Sequence, residues 1–192
     1  MTNENLDFFF TPRSVVLVGA SNREGSMGYV FMENIIRAGY EGEIFPINPN
    51  EDEVFGLKAY KDVTDVPGEV DLAVVLVPAD SAPNVMNKCG EKGVKGAVVI
   101  SSGFAEAGES GIRLQNELVE SSNRFGVRVL GPNCFGLYNC NIGLNASLAL
   151  GTPERGGSIS LVTQSGAYGM AIYTFALDHS MKFAKIIAPG NK

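Results

Sequence analysis

The sequence predicts an α/β fold in which helices cover both faces of a parallel sheet, and three observations support this. Runs of Val, Ile and Leu recur along the chain without polar alternation, which is typical of strands buried on both faces. Amphipathic segments with helical spacing separate these runs. The first run, residues 15–18, leads into a turn that contains Gly19, Gly25 and Gly28. Strands and helices that alternate in this way form parallel sheets.

The individual elements follow from the same patterns. A helical turn at residues 8–12 precedes the first strand. The strands are predicted at residues 14–18, 43–47, 72–77, 96–100 and 127–130. Helices are predicted at residues 27–38, ending at Gly39, and at about 81–92 and 109–125. We therefore predict a Rossmann-like, doubly wound parallel sheet in a domain of residues 1–130.

The pattern changes after residue 130. Residues 131–157 are rich in glycine, asparagine and proline and form a longer connection than compact domains usually contain, so we expect a linker. A strand at 158–162, a helix at 165–177 and a strand at 183–187 follow. One βαβ unit cannot cover both of its faces, so residues 158–192 are expected to begin a truncated, flavodoxin-like second domain of a longer polypeptide.

Composition restricts the possible function classes. A net charge of −6 argues against nucleic acid as the main partner, because binding a polyanion needs a basic surface. No apolar run reaches the roughly 18 residues of a membrane span, and residues 1–5 lack the basic start of a secretory signal. The 3 cysteines include no CxxC pair, so neither a disulfide framework nor a metal site is expected. These features predict a cytoplasmic protein.

The turn after the first strand predicts a nucleotide ligand. Its glycines allow the backbone to approach a diphosphate, and free N–H groups at the start of the next helix hold negative charge. The glycine spacing is not GxGxxG, and the P-loop pattern GxxxxGK[ST] is missing. The second strand ends without the carboxylate that binds the ribose of NAD, although Glu51 or Asp52 can reach back. A tight turn without a ligand is the alternative interpretation.

Four further motifs lie at predicted strand ends or helix starts. Val77-Pro78-Ala79 follows the third strand, and SSGFAE at 101–106 follows the fourth. GPNCFG occupies 131–136, and TQSGA occupies 163–167. In this order, the motifs resemble the CoA-binding part of the NDP-forming acyl-CoA synthetases, the superfamily of succinyl-CoA synthetase and the ADP-forming acetyl-CoA synthetases. The resemblance covers about residues 8–192.

The resemblance implies a binding site for coenzyme A and a role in an acid-thiol ligase. The implied CoA-binding residues are Gly19, Ser21, Asn22, Arg23, Gly25, Ser26 and Gly28 around the diphosphate, Val77, Pro78, Ser102 and Gly103 around the adenine, and Pro132 and Asn133 along the pantetheine arm. Ser165 and Gly166 would open a helix whose N-terminus faces a phosphohistidine, and amides with a helix dipole favour a phosphoryl group there. Residues 158–192 would begin a succinyl-CoA-ligase-like domain.

The resemblance also implies features outside this chain. The phosphohistidine lies further along the family's sequence, so this fragment is expected to be inactive alone. ADP or ATP and Mg²⁺ would bind an ATP-grasp domain or subunit, and the full-length protein would form an oligomer. Family members often carry a basic residue after the Asn-Pro of the second strand, suited to the 3′-phosphate of CoA, whereas this chain has Asn50-Glu51-Asp52.

Other interpretations have weaker support. Ser165 is not in a GxSxG nucleophile motif. His179 is expected near a helix C-terminus, where a cation suits the dipole, rather than as a catalytic base. Cys134 is expected to be a small packing residue rather than a reactive thiol. The alternative function is a non-catalytic Rossmann module that binds CoA or a dinucleotide as a sensor, for example one fused to an acetyltransferase.

Overall fold

The computed structural model describes residues 6–151 and 154–191. Residues 1–5, on which the prediction about a secretory signal depends, lie outside the described residues, as do residues 152, 153 and 192. The elements, in chain order, are α1 (Asp7–Phe10), β1 (Ser14–Val18), α2 (Met27–Arg37), β2 (Glu43–Ile47), β3 (Glu53–Val54), β4 (Leu57–Lys58), β5 (Leu72–Val75), α3 (Ala82–Lys92), β6 (Gly96–Val99), α4 (Glu109–Phe125), β7 (Arg128–Leu130), β8 (Gly136–Asn139), β9 (Leu144–Ser147), β10 (Ile159–Val162), α5 (Gly166–Asp178) and β11 (Phe183–Ala188).

The main sheet contains the strands that the apolar runs predict. Its order is β2-β1-β5-β6-β7, and every neighbouring pair is parallel. The chain moves to one side of β1 to form β2 and to the other side to form β5. The strand order therefore reverses between β1 and β5, and in open α/β sheets ligands bind beyond the carboxyl ends of the strands at such a point.

Helices cover both faces of this sheet, as predicted. Val15 and Leu17 of β1 pack with Phe31 and Ile35 of α2 in one apolar core. Val16 and Val18 of the same strand point the other way and belong to a second core. That second core also contains Met86 and Cys89 of α3 and Leu118 of α4. The doubly wound α/β fold is thus confirmed.

Predicted boundaries agree with the structure to within two residues. The helix predicted at 109–125 is α4 without change. The strand predicted at 72–77 ends at Val75, because Val77 precedes Pro78, which supplies no N–H to a strand ladder. Sequence reasoning did not identify the hairpin formed by β3 and β4, which turns at Phe55-Gly56 with both residues at positive φ.

Residues 131–157, which the sequence predicts as a linker, contain two strands. Every residue of β8 and β9 is buried, and the two strands pair antiparallel. The apolar pattern does not predict these strands, because polar residues interrupt it. Three of these polar residues, Asn139, Asn145 and Ser147, are nevertheless buried. Each is hydrogen-bonded, for example Asn139 Nδ2 to the carbonyl of Phe10 at 2.6 Å.

The last part of the described chain forms the predicted βαβ unit. Strands β10 and β11 pair in parallel, and β11 also pairs antiparallel with β8, which gives the order β10-β11-β8-β9. Helix α5 packs through Tyr173 and Ala176 in a third core. Strand β10 is an edge strand, with Val162 67% exposed. In the described parts of the chain, no helix combines the length and apolarity needed to cross a membrane.

Candidate functional site

A cleft of about 880 Å³ opens where the main sheet meets the start of α5. It lies beyond the carboxyl ends of β5 and β6, next to the point where the strand order reverses. None of its described lining residues carries a charge. The lining residues are Met27, Leu76, Val77, Pro78, Ile100, Ser101, Ser102, Asn133, Cys134, Phe135, Leu148, Gln164, Ser165, Gly166, Ala167, Met170, Gly190 and Asn191.

The loop after β1 is tightly folded against α2. Gly19 has φ +94° and Gly25 has φ +76°, a region that favours glycine. Gly28 lies against the loop backbone so closely that an added Cβ would be 2.0 Å from the carbonyl oxygen of Gly19. Ser26 caps α2 by accepting a hydrogen bond from the N–H of Tyr29 at 3.2 Å. These residues hold the helix start at the strand end, and a helix N-terminus attracts anions.

The predicted phosphate contacts Ser21 and Asn22 already hydrogen-bond to a carboxylate. Ser21 Oγ donates to Glu51 Oε1 at 3.0 Å, and Asn22 Nδ2 donates to Glu51 Oε2 at 2.6 Å. The backbone N–H of Asn22 also points at both carboxylate oxygens, at 3.3 Å each. Glu51 thus reaches back from the turn after β2, but to the donors of the loop after β1. Asp52 instead pairs with Lys61 at 2.7 Å.

The loops after β5 and β6 are joined at the edge of the cleft. Ser101 Oγ donates a short hydrogen bond to the carbonyl of Val77. Next to it, Gly103 N and Phe104 N donate to Glu106 Oε1 at 2.6 and 3.1 Å. Burial acts to raise the pKa of Glu106, but the hydrogen bonds from Asn191 and the backbone outweigh it and lower this pKa below its ordinary value. The loop is thus held by an ionised carboxylate.

Asn133 lies in the connection between β7 of the main sheet and β8 of the four-stranded sheet. The peptide bond between Gly131 and Pro132 is cis, and Asn133 has φ +54°. Its backbone N–H donates to the carbonyl of Ser101 at 2.9 Å. Its side chain donates to Asn191 Oδ1 at 3.3 Å, and Asn191 Nδ2 donates to Glu106 Oε2 at 2.5 Å. Sequence reasoning missed Asn191 because it follows the last strand with no motif around it.

The N-terminus of α5 forms the far wall of the cleft. Ser165 caps this helix by accepting a hydrogen bond from the N–H of Tyr168 at 3.3 Å. Gly166 leaves room for Phe135, since an added Cβ would lie 3.3 Å from the Phe135 Cβ. The first helical amides therefore face the cleft with their positive dipole end, which attracts an anion.

The structure brings some of the predicted site residues together and leaves others apart. Val77, Pro78, Ser102, Asn133, Ser165 and Gly166 line one cleft. Gly103 and Pro132 are chain neighbours of lining residues. The loop residues Gly19, Ser21, Asn22, Arg23, Gly25, Ser26 and Gly28 are outside the described lining, and Met27 connects their loop to the cleft. Sequence reasoning did not identify the apolar wall of Phe135, Leu148 and Met170.

The two residues considered as alternative reactive groups, Cys134 and His179, are both held in structural roles. Cys134 is buried, and this burial raises the pKa of its thiol to about 12, so the thiolate is not populated near neutral pH. His179 caps the C-terminus of α5, with its ring stacked on Phe175 at 3.9 Å between centroids. Its Nδ1 lies 2.9 Å from the Phe175 carbonyl oxygen.

Comparison with known proteins identifies the family of this chain. Residues 13–139 match the family described as CoA binding domain. The acetate–CoA ligase [ADP-forming] of Methanocaldococcus jannaschii is 44% identical over 187 residues, which is 97% of this chain and 26% of that protein. Subunit alpha of the acetate–CoA ligase [ADP-forming] II of Pyrococcus furiosus is 42% identical and is matched over 40% of its length.

A solved structure shows the same fold. The apo form of the dinucleotide-forming acetyl-coenzyme A synthetase 1 of Candidatus Korarchaeum cryptofilum is similar with a TM-score of 0.92 and 39% identity. The similarity covers 97% of this chain and 40% of that one. The chain thus spans about a quarter to two fifths of the length of these relatives.

Proposed function

The chain belongs to the CoA binding domain family, and from this premise we propose that it is the coenzyme A-binding part of an ADP-forming acyl-CoA synthetase. Such an enzyme interconverts acyl-CoA, ADP and phosphate with the free acid, CoA and ATP. The observation that carries the proposal is the uncharged cleft between the strand ends of the main sheet and the N-terminus of α5. A pantetheine thioester is uncharged, and it suits such a lining.

The coenzyme would cross the molecule from the first loop to α5. In this arrangement the loop at residues 19–28 holds the diphosphate with Ser21, Asn22 and Arg23. Val77, Pro78, Ser102 and Gly103 flank the adenine. The pantetheine arm follows Pro132 and Asn133, and its sulfur ends near Ser165. This arrangement uses the switch point of the sheet as doubly wound folds usually do.

The proposed reaction uses the N-terminus of α5 to hold phosphate. An oxygen of phosphate attacks the thioester carbonyl carbon, the carbon–sulfur bond breaks, and CoA leaves as the thiol after taking up a proton. The acyl phosphate then transfers its phosphoryl group to a histidine, and this transfer releases the acid. The phosphohistidine passes the phosphoryl group on to ADP. The amides at Ser165 and Gly166 would stabilise the negative charge of the phosphoryl group during these steps.

Several parts of this enzyme would lie outside the present chain. His179 is engaged with Phe175, so we assign the phosphorylated histidine to a later part of the protein. An ATP-grasp domain or subunit would bind ADP or ATP with Mg²⁺, and the complete protein would be an oligomer. The free thiols and the nucleotide substrates fit the cytoplasm.

Calorimetry with CoA and NADH tests the proposal. We expect CoA to bind in the micromolar range, about −8 kcal/mol, and NADH to bind far more weakly. Ser102→Trp would fill the cleft and weaken CoA binding more than about tenfold, equivalent to about 1.4 kcal/mol. Ser81→Trp is the matched control, because Ser81 is exposed before α3 and outside the described lining. Folded protein that gives no heat with CoA at millimolar concentration would refute the proposal.

A further inference from the structure

The carboxylate of Glu51 occupies the donors of the loop after β1. It accepts hydrogen bonds from Ser21 Oγ at 3.0 Å, from Asn22 Nδ2 at 2.6 Å and from the Asn22 backbone N–H at 3.3 Å. Asn48 Nδ2 adds a further hydrogen bond at 3.0 Å, and it also donates to the carbonyl of Ala20 at 2.7 Å. Hydroxyl, amide and backbone donors therefore converge on one anionic group.

This arrangement follows from the pairing of β1 and β2. The two strands are parallel neighbours, so the loops at their carboxyl ends lie side by side. Glu51 comes four residues after the end of β2, and its side chain crosses to the loop after β1. Among the described residues, no lysine or arginine forms an ion pair with it. Lys61 Nζ contacts the backbone carbonyl of Glu51 at 3.1 Å but pairs with Asp52.

The donors that hold Glu51 are those expected to hold a ligand phosphate. Backbone and side-chain donors that converge in the loop between a parallel strand and the following helix attract anions of either kind, carboxylate or phosphate. A carboxylate and a diphosphate cannot share these donors, since their like charges repel within a few ångströms. One of the two must leave when the other binds.

We propose that Glu51 is an internal competitor that holds the diphosphate position of the empty site and is displaced when coenzyme A binds. This inference rests on the proposed function, because it takes CoA as the ligand of the loop. Glu51 then sets the affinity of the site without contacting the reacting atoms. A substitution that removes the charge of Glu51 and keeps the shape of its side chain should let the diphosphate bind more tightly.

Glu51→Gln tests the inference in the full-length protein, with Glu53→Gln as the matched control. Both substitutions remove one negative charge from the segment that follows β2, but Glu53 is exposed, and its side chain makes no hydrogen bond or ion pair within the described chain. Calorimetry would compare CoA with dephospho-CoA, which keeps the diphosphate and lacks the 3′-phosphate. We expect Glu51→Gln to tighten the binding of both ligands about tenfold and Glu53→Gln to change it less than about twofold.

Each other outcome has a defined meaning. Unchanged or weaker binding of both ligands by a folded Glu51→Gln variant would overturn the inference and leave CoA binding by the wild type intact. Tighter binding of CoA alone would also overturn it, because the carboxylate would then oppose the 3′-phosphate. If neither ligand binds the wild type or the variant, the proposed function fails, and this inference fails with it.

Discussion

Replacing Gly28 by alanine should disrupt the contact between β1 and α2 on which the site is built. An alanine Cβ at this position would lie 2.0 Å from the Gly19 carbonyl oxygen and 2.9 Å from the backbone nitrogen of Ser21. Both neighbours are backbone atoms and have no rotamer to change, so the helix must move away from the loop. Overpacking of this kind costs about 1–3 kcal/mol and occasionally more. The gain in helix propensity from glycine to alanine is below about 1 kcal/mol.

Gly25→Ala separates this steric effect from backbone strain. Gly25 lies on the same loop at φ +76°, and an added Cβ there would meet nothing within 4 Å. Its cost is therefore conformational, about 1 kcal/mol. The 2.0 Å contact places Gly28→Ala at or above the upper end of the overpacking range, so after subtraction of the helix-propensity gain the net loss in urea unfolding should be about 2–3 kcal/mol. This corresponds to a fall in Tm of roughly 4–12 °C for a chain of this size. We also expect it to weaken CoA binding more than Gly25→Ala does.

The critical result is which of the two variants, Gly28→Ala or Gly25→Ala, is less stable and binds CoA more weakly. If Gly28→Ala were as stable as the wild type, or more stable than Gly25→Ala, the close approach of helix and loop would not govern this site. The same conclusion would follow if Gly28→Ala bound CoA with unchanged affinity, because the displaced helix start could not then be part of the diphosphate position.

Three further predictions concern titration and cross-sheet contacts. Burial acts to raise the pKa of Asp71, but hydrogen bonds from Lys95 and Arg13 lower it to about 2. The ionised carboxylate therefore stabilises the folded state fully above about pH 5, and this stabilisation is lost as the pH falls toward 2. Asp71→Asn should lower the free energy of unfolding by about 2 kcal/mol at pH 7, and the urea midpoint of the variant should depend less on pH in the acid range. Asn191→Ala removes a hydrogen bond that lowers the pKa of Glu106, so this pKa should rise in an NMR titration of the side-chain carboxyl; an unchanged value would contradict the contact. The buried thiols, including Cys134, should not react with a thiol reagent at pH 8 until urea unfolds the protein, and rapid labelling of the folded state would contradict this prediction.

Much of the fold could be predicted because its signals are local. The central strands β1, β5 and β6 are apolar runs in which every residue is buried, and α4 has a helical pattern that ends at Gly126. The turn with Gly19 and Gly28 is also local, since positive φ and close backbone approach both require glycine there. Pairs of residues such as Val77-Pro78 could be placed at strand ends for the same reason, and the structure has them in the cleft.

The sequence alone thus determined the parallel sheet, its helices and the loop at its first strand end, because hydrophobic periodicity and glycine conformation act over a few residues. Only the tertiary structure decided that Glu51 holds the donors of Ser21 and Asn22 and that Asn191 meets Glu106. The same is true of buried strand β8, where the side chain of Asn139 donates to the carbonyl of Phe10 across 129 positions. A buried polar group is stable only where its partner is present, and no local pattern records where that partner lies.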